Sequence, residues 1–354
     1  MSSIILNNFD TSNVTSMSRM FSSTGYSSTN FTLNLGNQFN TSNVTDMTQM
    51  FSGCKNLSSL DLSGWDMRNV TRVGSMFRNC QNLNDLNLSS LKTGKLDGIG
   101  GMFWECESLT SLELSGFDTG NVEDMGQVFY NCKSLVSVDL SGWDTTNVTS
   151  MEQMFQGCNS LLELDLSGFD TKNVEEMFRM FEGCRSLVSL DIAGWNTSKV
   201  TDMRSMFCDC SRLNNLDVSN FDTSNVTSMT CMFDDCSSLN KLDLSSFDVS
   251  KCREYQGLSS FYGCDNLSTI HTPKVIPKGV TIDLLWNFKD PDGNKLTSIT
   301  SEHSNMVLNR AISIVCPSKM YVGETRQLYI KIDEQILDAC RYVNADKFIE
   351  KLEK

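Results

Sequence analysis

Leucine, methionine, phenylalanine and cysteine return at fixed places every 26 residues, with short polar runs between them. The aromatic residue at the start of each Asp-Thr-x-Asn turn marks this grid. Leu91 stands at one grid position in place of an aromatic residue. Phe9 comes before the first grid position and is four residues out of phase with the grid. The marks are Phe39, Trp65, Phe117, Trp143, Phe169, Trp195, Phe221 and Phe247. A period between about 20 and 50 residues is typical of a solenoid, whose coils bury their apolar side chains only by stacking on their neighbours.

One segment of each coil has the pattern of a short β-strand. Leu60-Asp61-Leu62 alternates apolar, polar and apolar, which is the pattern of a strand with one buried face. The copies are centred on Leu86, Leu112, Val138, Leu164, Leu190, Leu216 and Leu242. Stacked coils are therefore expected to form a parallel sheet with a strand spacing of roughly 4.8 Å, and ten coils a rod on the order of 50 Å long.

The rest of the coil predicts a turn followed by a compact apolar segment. Asp-Thr-x-Asn offers side chains that bond nearby backbone N–H groups. Met47, Met50 and Phe51 then stand at i, i+3 and i+4, which predicts a single helical or 3₁₀ turn with a buried face. The predicted fold is an α/β repeat solenoid similar to leucine-rich repeats. It has about ten coils, a parallel sheet on one face and short helical or 3₁₀ turns on the other.

The repeated unit LxxLxLSxFDTSNVTxMxxMFxxC resembles the BspA-like leucine-rich repeats of bacterial and protist surface proteins, in the form abundant in Mycoplasma and lactic-acid bacterial lipoproteins. The resemblance covers residues 1–270. It implies a leucine-rich-repeat sheet and a secreted adhesin or surface-anchored interaction protein. The start MSSIILNNFD departs from a signal peptide, since it lacks a basic region and an apolar stretch. A cell-surface or extracellular location is thus expected if the chain is part of a larger precursor.

One cysteine per coil forms a ladder. It comprises Cys54, Cys80, Cys106, Cys132, Cys158, Cys184, Cys210 and Cys236, with Cys264 following after a two-residue insertion. Zinc sites use cysteine pairs with two to four residues between them, and Cys208 and Cys210 stand too close. Disulfides between coils are sterically possible, but the ladder gives no pairing rule. The favoured interpretation is a small apolar side chain that fills the coil interior.

An acidic residue stands between the two strand leucines and is expected to point out of the sheet. Asn34 and Asn87 occupy this position in two coils. The carboxylates, which are the predicted ligand-binding residues, are Asp61, Glu113, Asp139, Asp165, Asp191, Asp217 and Asp243. They could form a platform for a basic protein or peptide. Equally, they could keep an exposed sheet soluble. Calcium is a weaker alternative, because it needs more oxygens than one column supplies.

A second column of aspartates begins the turns, and it is expected to serve local hydrogen bonding alone. Its members are Asp66, Asp118, Asp144, Asp170, Asp222 and Asp248.

The two ends of the array carry different predictions. Ile4-Ile5-Leu6 opens the first coil with almost nothing before it, so an apolar coil face is exposed and an end-to-end or N-terminal partner is expected. Residues 271–311 contain the turn signal Asp290-Pro291-Asp292-Gly293 and predict a β-hairpin cap. Residues 312–354 resemble the opening strands of a bacterial immunoglobulin-like domain, followed by short helices.

Composition limits the function. A net charge of −14 argues against a nucleic acid or an anionic membrane as partner, and no apolar run reaches transmembrane length. Both histidines, His271 and His303, lie outside the array, and no phosphate-binding or nucleophile motif is present. We therefore expect no catalysis and no cofactor. The leading hypothesis is a non-catalytic protein-binding or adhesion module. The alternative is a bacteriophage virion protein (a tail, decoration or host-recognition component) assembled in the reducing host cytoplasm.

Overall fold

A computed structural model describes residues 3–310 except 7–8, 28–30, 37–38, 63 and 253–260. The chain divides into two compact units, Met1–Ala311 and Ile312–Lys354, and all of the described residues belong to the first unit. The predicted immunoglobulin-like strands and helices of 312–354 lie outside the described residues.

The described unit is a β-solenoid in which all but one of the coils contribute a strand of two or three residues to one face. The strands are β1 (Ser3–Ile5), β2 (Thr32–Asn34), β3 (Ser59–Leu60), β4 (Asp85–Leu86), β5 (Ser111–Glu113), β6 (Ser137–Asp139), β7 (Ser189–Leu190), β8 (Asn215–Leu216), β9 (Lys241–Asp243) and β10 (Thr269–His271). Leu112 of β5 lies opposite Val138 of β6, one coil further on. The predicted parallel arrangement and the 26-residue coil are confirmed.

The sheet is interrupted, in contrast to the continuous sheet that the pattern predicts. Strands pair as β1–β2, β3–β4, β5–β6, β7–β8 and β9–β10, and residues 161–166 form no strand. Strands this short supply few hydrogen bonds to each neighbour, so they cannot by themselves hold the coils at an even spacing. A second set of hydrogen bonds, on the opposite face, runs from coil to coil through nearly the whole array.

The predicted helical or 3₁₀ turn on that opposite face is wrong. In coil one the N–H of Met20 bonds the carbonyl of Met17, and Arg19 has a φ of 58°, which is the pattern of a type II turn. Among the described residues, the one helical element is the 3₁₀ helix Ser301–His303. Alternate N–H groups are thereby free to bond the next coil: Phe21 donates to Met50 at 2.9 Å, and Phe51 to Met76 at 2.9 Å.

The interior is a stack of phenylalanine rings that runs along the array. Successive rings lie 5.3 to 5.8 Å apart between centroids and within 12° of parallel. The stacked residues are Phe21, Phe51, Phe77, Phe103, Phe129, Phe155, Phe181, Phe207 and Phe233. Methionines such as Met47 and Met50 fill the space beside the rings and are fully buried. Because each ring is covered by the coil on either side, burial depends on stacking.

The cysteine ladder lies beside this stack, and all nine thiols are free and fully buried. Each Sγ donates a hydrogen bond to the phenylalanine carbonyl of the preceding coil. Cys80 reaches Phe51 at 3.2 Å and Cys106 reaches Phe77 at 3.1 Å. Burial raises the pKa of Cys54 to about 11 and that of Cys132 to about 12. The interpretation as interior filling agrees with the structure, and the hydrogen bond adds a reason for a thiol rather than a methyl group.

The C-terminal coil is covered by antiparallel strands. β11 (Ile282–Lys289) and β12 (Lys295–Ile299) form a hairpin, and β13 (Val307–Arg310) pairs with both β10 and β11. The strand order is β12-β11-β13-β10-β9. The outer edge of β10 is therefore occupied.

Candidate binding surface

The acidic column comprises Asp61, Glu113, Asp139, Asp165, Asp191, Asp217 and Asp243 on the strand face. All of these residues are exposed except Asp139, which is half-buried. Glu113 lies directly opposite Asp139 in the β5–β6 pair, and His271 lies opposite Asp243 at the last coil. The structure thus brings the predicted residues into one line along the rod, with Asn87 interrupting it between Asp61 and Glu113.

A local hydrogen bond explains why aspartate recurs in this column. Asp139 Oδ1 accepts from the N–H of Ser141 at 2.9 Å, and Asp165 Oδ1 accepts from that of Ser167 at 3.0 Å. These bonds hold the pKa of both carboxyl groups below the usual range. Asn87 makes the same bond to Ser89 at 3.0 Å, which shows that the turn needs an acceptor and not a charge.

The charge of the column is nevertheless largely uncompensated. Within the described residues, no ion pair includes Glu113, Asp139, Asp165, Asp191 or Asp217. At the end of the column His271 Nδ1 lies 3.2 Å from Asp243 Oδ1. Neighbouring strands in a sheet are roughly 4.8 Å apart, a spacing at which like charges repel. A cation placed along this line would relieve the repulsion.

Two clefts open into the column where consecutive coils do not pair as strands. The larger, of about 600 Å³, is lined by Asn34 and Asp61 together with Phe39 and Trp65. The smaller, of about 210 Å³, is lined by Asp139, Asp165, Trp143 and Phe169 among others. Each cleft is therefore lined by both polar or acidic oxygens and aromatic carbon. A long side chain with an apolar stem and a cationic head meets both requirements.

A second surface cluster, on the turn face, was not predicted. Arg78 lies 4.1 Å above the Trp104 ring, and the Trp104 and Tyr130 rings are 4.5 Å apart. These three side chains occupy the same place in successive coils and are half-buried. Other coils carry Gln156 and Glu182 there. That coil-to-coil variation outside the buried framework was the sequence signal that could have revealed the cluster.

The turn aspartates behave as the sequence predicts. Asp144 Oδ1 accepts from the N–H of Thr146 at 2.9 Å, and Asn196 makes the equivalent bond to Ser198 at 3.0 Å. Some members are also paired with a cation, as in the Asp66–Arg68 contact at 2.7 Å. The side chains of the turn column thus stabilise the turn by accepting backbone hydrogen bonds within it.

Other chemistry is sparse in the part of the chain that the structure describes. No group of three or more histidine, cysteine or acidic side chains is arranged to hold a metal ion there. None of the helices described there is long and apolar enough to cross a membrane. His303 Nδ1 accepts from the backbone N–H of Thr300 at 3.1 Å, so this ring is engaged locally.

Comparison with known proteins identifies the repeat. The family model described as "Mycoplasma protein of unknown function, DUF285" matches residues 2–112, 98–190 and 186–272. No curated protein matches the chain. Among solved structures, the crystal structure of a TLR13–ssRNA13 complex is similar at 16% identity and a TM-score of 0.26. The match covers 70% of this chain and 40% of that one, and at this score it adds nothing to the fold described above. The three matched stretches span most of the solenoid, and the chain belongs to the DUF285 family.

Proposed function

We propose that the chain is a non-catalytic protein-binding module whose acidic column receives a basic protein or peptide. The observation that carries the proposal is the run of five carboxylates, Glu113 to Asp217, without an ion pair in the described structure. Such a line creates a negative potential that attracts and orients a positively charged partner. The same potential disfavours nucleic acids and anionic membranes.

The clefts give the proposal its chemical detail. A lysine or arginine of the partner would place its charged head between Asp139 and Asp165 and its stem against Trp143 and Phe169. Cation–aromatic contacts contribute about 0.5 to 2 kcal/mol, depending on how far the site excludes water. Single exposed ion pairs contribute less, so affinity would come from several contacts along the column.

The proposal gives the chain no catalytic role and no cofactor. His271 and His303 both have local partners, Asp243 and Thr300. The ladder cysteines are buried, and burial keeps their pKa well above the range in which thiolates act as nucleophiles.

The structure suggests a test that removes charge without removing the fold. Asp139→Asn, Asp165→Asn and Asp191→Asn together delete three charges, and asparagine keeps the acceptor, as Asn87 does naturally. The matched control is Asp118→Asn, Asp144→Asn and Asp222→Asn in the turn column, where Asn196 occurs naturally. Both triple variants have the same net charge. Binding of an octalysine peptide is measured by titration calorimetry at low and at physiological salt.

We expect the sheet-face variant to lose affinity by at least about tenfold and the control by less than about threefold, with salt weakening the parent most. Equal losses in the two variants would reduce the attraction to net charge alone and contradict the proposal. Binding that neither salt nor the sheet-face variant changes would also contradict it.

Location is a separate proposal. We propose a cell-surface adhesion role, as the family resemblance implies. The virion alternative is favoured by one observation: nine unbridged thiols suit assembly in a reducing compartment. Counting free thiols in the protein purified from its native source under denaturing, alkylating conditions separates the two. A full count of reduced thiols favours cytoplasmic assembly, whereas bridged cysteines favour an extracellular site.

A further inference from the structure

An apolar row runs beside the acidic column. The residue three places before the column carboxylate is apolar in three successive coils, and the row consists of Val136, Leu162 and Val188. Val136 is 38% exposed, Leu162 is 44% exposed and Val188 is half-buried. The first two are direct neighbours across the coils, because the N–H of Leu162 donates to the carbonyl of Val136 at 3.2 Å.

The apolar row departs from the repeat. In the described coils between the two ends of the array, the two exposed large apolar side chains belong to this row. The same three coils carry Asp139, Asp165 and Asp191, which belong to the run of carboxylates without an ion pair in the described structure. The fold does not require the row, because other coils have polar residues at this position, namely Ser58, Asn84, Thr110, Asn214, Asn240 and Ser268.

The two sides of the apolar row differ in charge. Between the row and the column Glu163 is exposed, and no ion pair of the described residues includes it. Three residues before the row, Lys133 pairs with Glu107 at 3.1 Å. Arg185 pairs with Asp209 at 2.6 Å. The surface is thus negative on the column side of the row and charge-balanced on the other side.

We propose that the partner of this surface is a cationic amphipathic helix that lies along the rod. Its apolar stripe covers the apolar row, and its lysine or arginine side chains reach the acidic column. The inference rests on the proposed function, and it names the class of basic partner that the column receives. Apolar anchors combined with complementary charge give such a helix both affinity and a fixed orientation.

The dimensions of a helix fit this surface. Three residues of extended chain separate the apolar row from the column by roughly 10 Å, and a helix with its side chains is about 10 to 12 Å wide. Neighbouring carboxylates are about 4.8 Å apart, and successive helix turns about 5.4 Å. One basic residue per turn can therefore follow one carboxylate per coil, since a long lysine side chain absorbs the difference of about 2 to 3 Å that accumulates over four coils.

An extended peptide does not offer the same pattern. Its successive side chains point to opposite faces, so it cannot present an apolar row and a basic row side by side to one surface.

The test compares three labelled peptides by fluorescence anisotropy with the whole chain, at peptide concentrations below those of self-association. The helical probe is LKKLLKLLKKLLKL, which carries leucines on one face and lysines on the other and is about 21 Å long as a helix. The second peptide contains the same residues in an order that removes the amphipathic pattern. Octalysine, the third, reports the acidic column alone.

Two variants of equal design are compared with the parent chain. The row variant carries Val136→Thr and Leu162→Thr, and Thr110 shows that threonine is natural in this position. The matched cap variant carries Val275→Thr and Val307→Thr in the C-terminal cap, where the two side chains are likewise 38% and 44% exposed.

We expect the parent to bind the helical probe at least about tenfold more tightly than the rearranged peptide. The row variant should lose at least about fivefold in affinity for the helical probe and less than about twofold for octalysine, whereas the cap variant should change neither affinity by more than about twofold.

Equal affinity for the helical and rearranged peptides would overturn this inference, and so would equal losses in the row and cap variants. Both results leave the proposed function intact, because octalysine reports it separately. Octalysine binding that survives removal of charge from the column would instead contradict the proposed function, and with it this inference.

Discussion

Buried thiols make the solenoid sensitive to alkali. The nine ladder cysteines are fully buried, and burial raises the pKa of Cys132 from its ordinary value of 9.0 to about 12. A raised pKa in the folded state means that the unfolded chain loses thiol protons first. The stability from the buried thiols is therefore fully present below about pH 9. It is lost as the pH rises toward the pKa of the folded state.

The size of the effect follows from the number of thiols. At about pH 10, each thiol with an unfolded pKa near 9 favours unfolding by about 1.4 kcal/mol. Nine such thiols together amount to roughly 13 kcal/mol, which is comparable to the total stability of a typical domain, about 5 to 15 kcal/mol. We therefore expect the array to unfold between about pH 9.5 and pH 10.5.

The assay is urea unfolding followed by circular dichroism, in the presence of a non-thiol reductant, from about pH 8 to about pH 10.5. The double variant Cys132→Ala and Cys158→Ala removes two of the nine ladder thiols and should lower the part of the alkaline slope that these nine thiols contribute by about two ninths. Lysine and tyrosine titrate alike in both chains, so the difference isolates the thiols. Identical slopes in parent and variant, or a parent whose stability is flat through about pH 10.5, would refute the reasoning.

Three further predictions concern single interactions. Thr145→Val should cost roughly 2 to 4 kcal/mol in urea unfolding, because Thr145 Oγ1 bonds both the carbonyl and the N–H of Asp170; Thr145→Ser should cost much less, and equal costs would argue against these bonds. Trp143→Phe should cost about 1 kcal/mol, since Trp143 Nε1 donates to Leu114 at 3.2 Å. Trp195→Phe should be neutral or stabilising, because Trp195 Nε1 is buried and has no partner in the described structure; a larger loss at Trp195 would be inconsistent with this difference. The hydrogen bond with Ser167 lowers the pKa of Asp165 in the folded chain. The stability that this carboxylate adds is therefore present above about pH 4 and is lost as the pH falls through the pKa of the folded state. Asp165→Asn should therefore weaken the decrease in the free energy of unfolding below about pH 4. The same decrease in parent and variant would count against this role of Asp165.

The coil could be predicted because its evidence is repeated. A single Leu60-Asp61-Leu62 is a weak strand signal, but its recurrence at a fixed interval with aromatic, methionine and cysteine columns leaves stacking as the way to bury them all. The apolar residues at equivalent positions of successive coils are buried together, and such recurring positions can be recognised in a sequence.

The turn face was mispredicted because two structures share one apolar spacing. Met47, Met50 and Phe51 face inward in a helical turn and equally in two successive type II turns. A discriminating signal followed two residues after Phe51. The position of Gly53 holds Asn79, Asn131 or Asp209 in other coils, which are residue types that tolerate a positive φ, although Glu105 also occupies it.

The acidic column was located correctly, but its local role was missed. The presence of Asn87 in place of an aspartate was visible in the sequence, and it indicates that the coils share a hydrogen-bond acceptor rather than a charge at this position. Which carboxylates lack a cation partner depends on where long lysine and arginine side chains settle, as with Lys172 on Asp170. Side-chain positions of that kind cannot be inferred from spacing along the chain.

The central claim is that the acidic column, and not net charge, receives a basic partner. Zero-length carbodiimide coupling between octalysine and the intact chain, with the linked residues located by mass spectrometry, tests it most directly. The account predicts links concentrated at Asp139, Asp165 and Asp191. Links concentrated at the turn residues Asp118, Asp144 and Asp222, which also carry carboxylates, would contradict it.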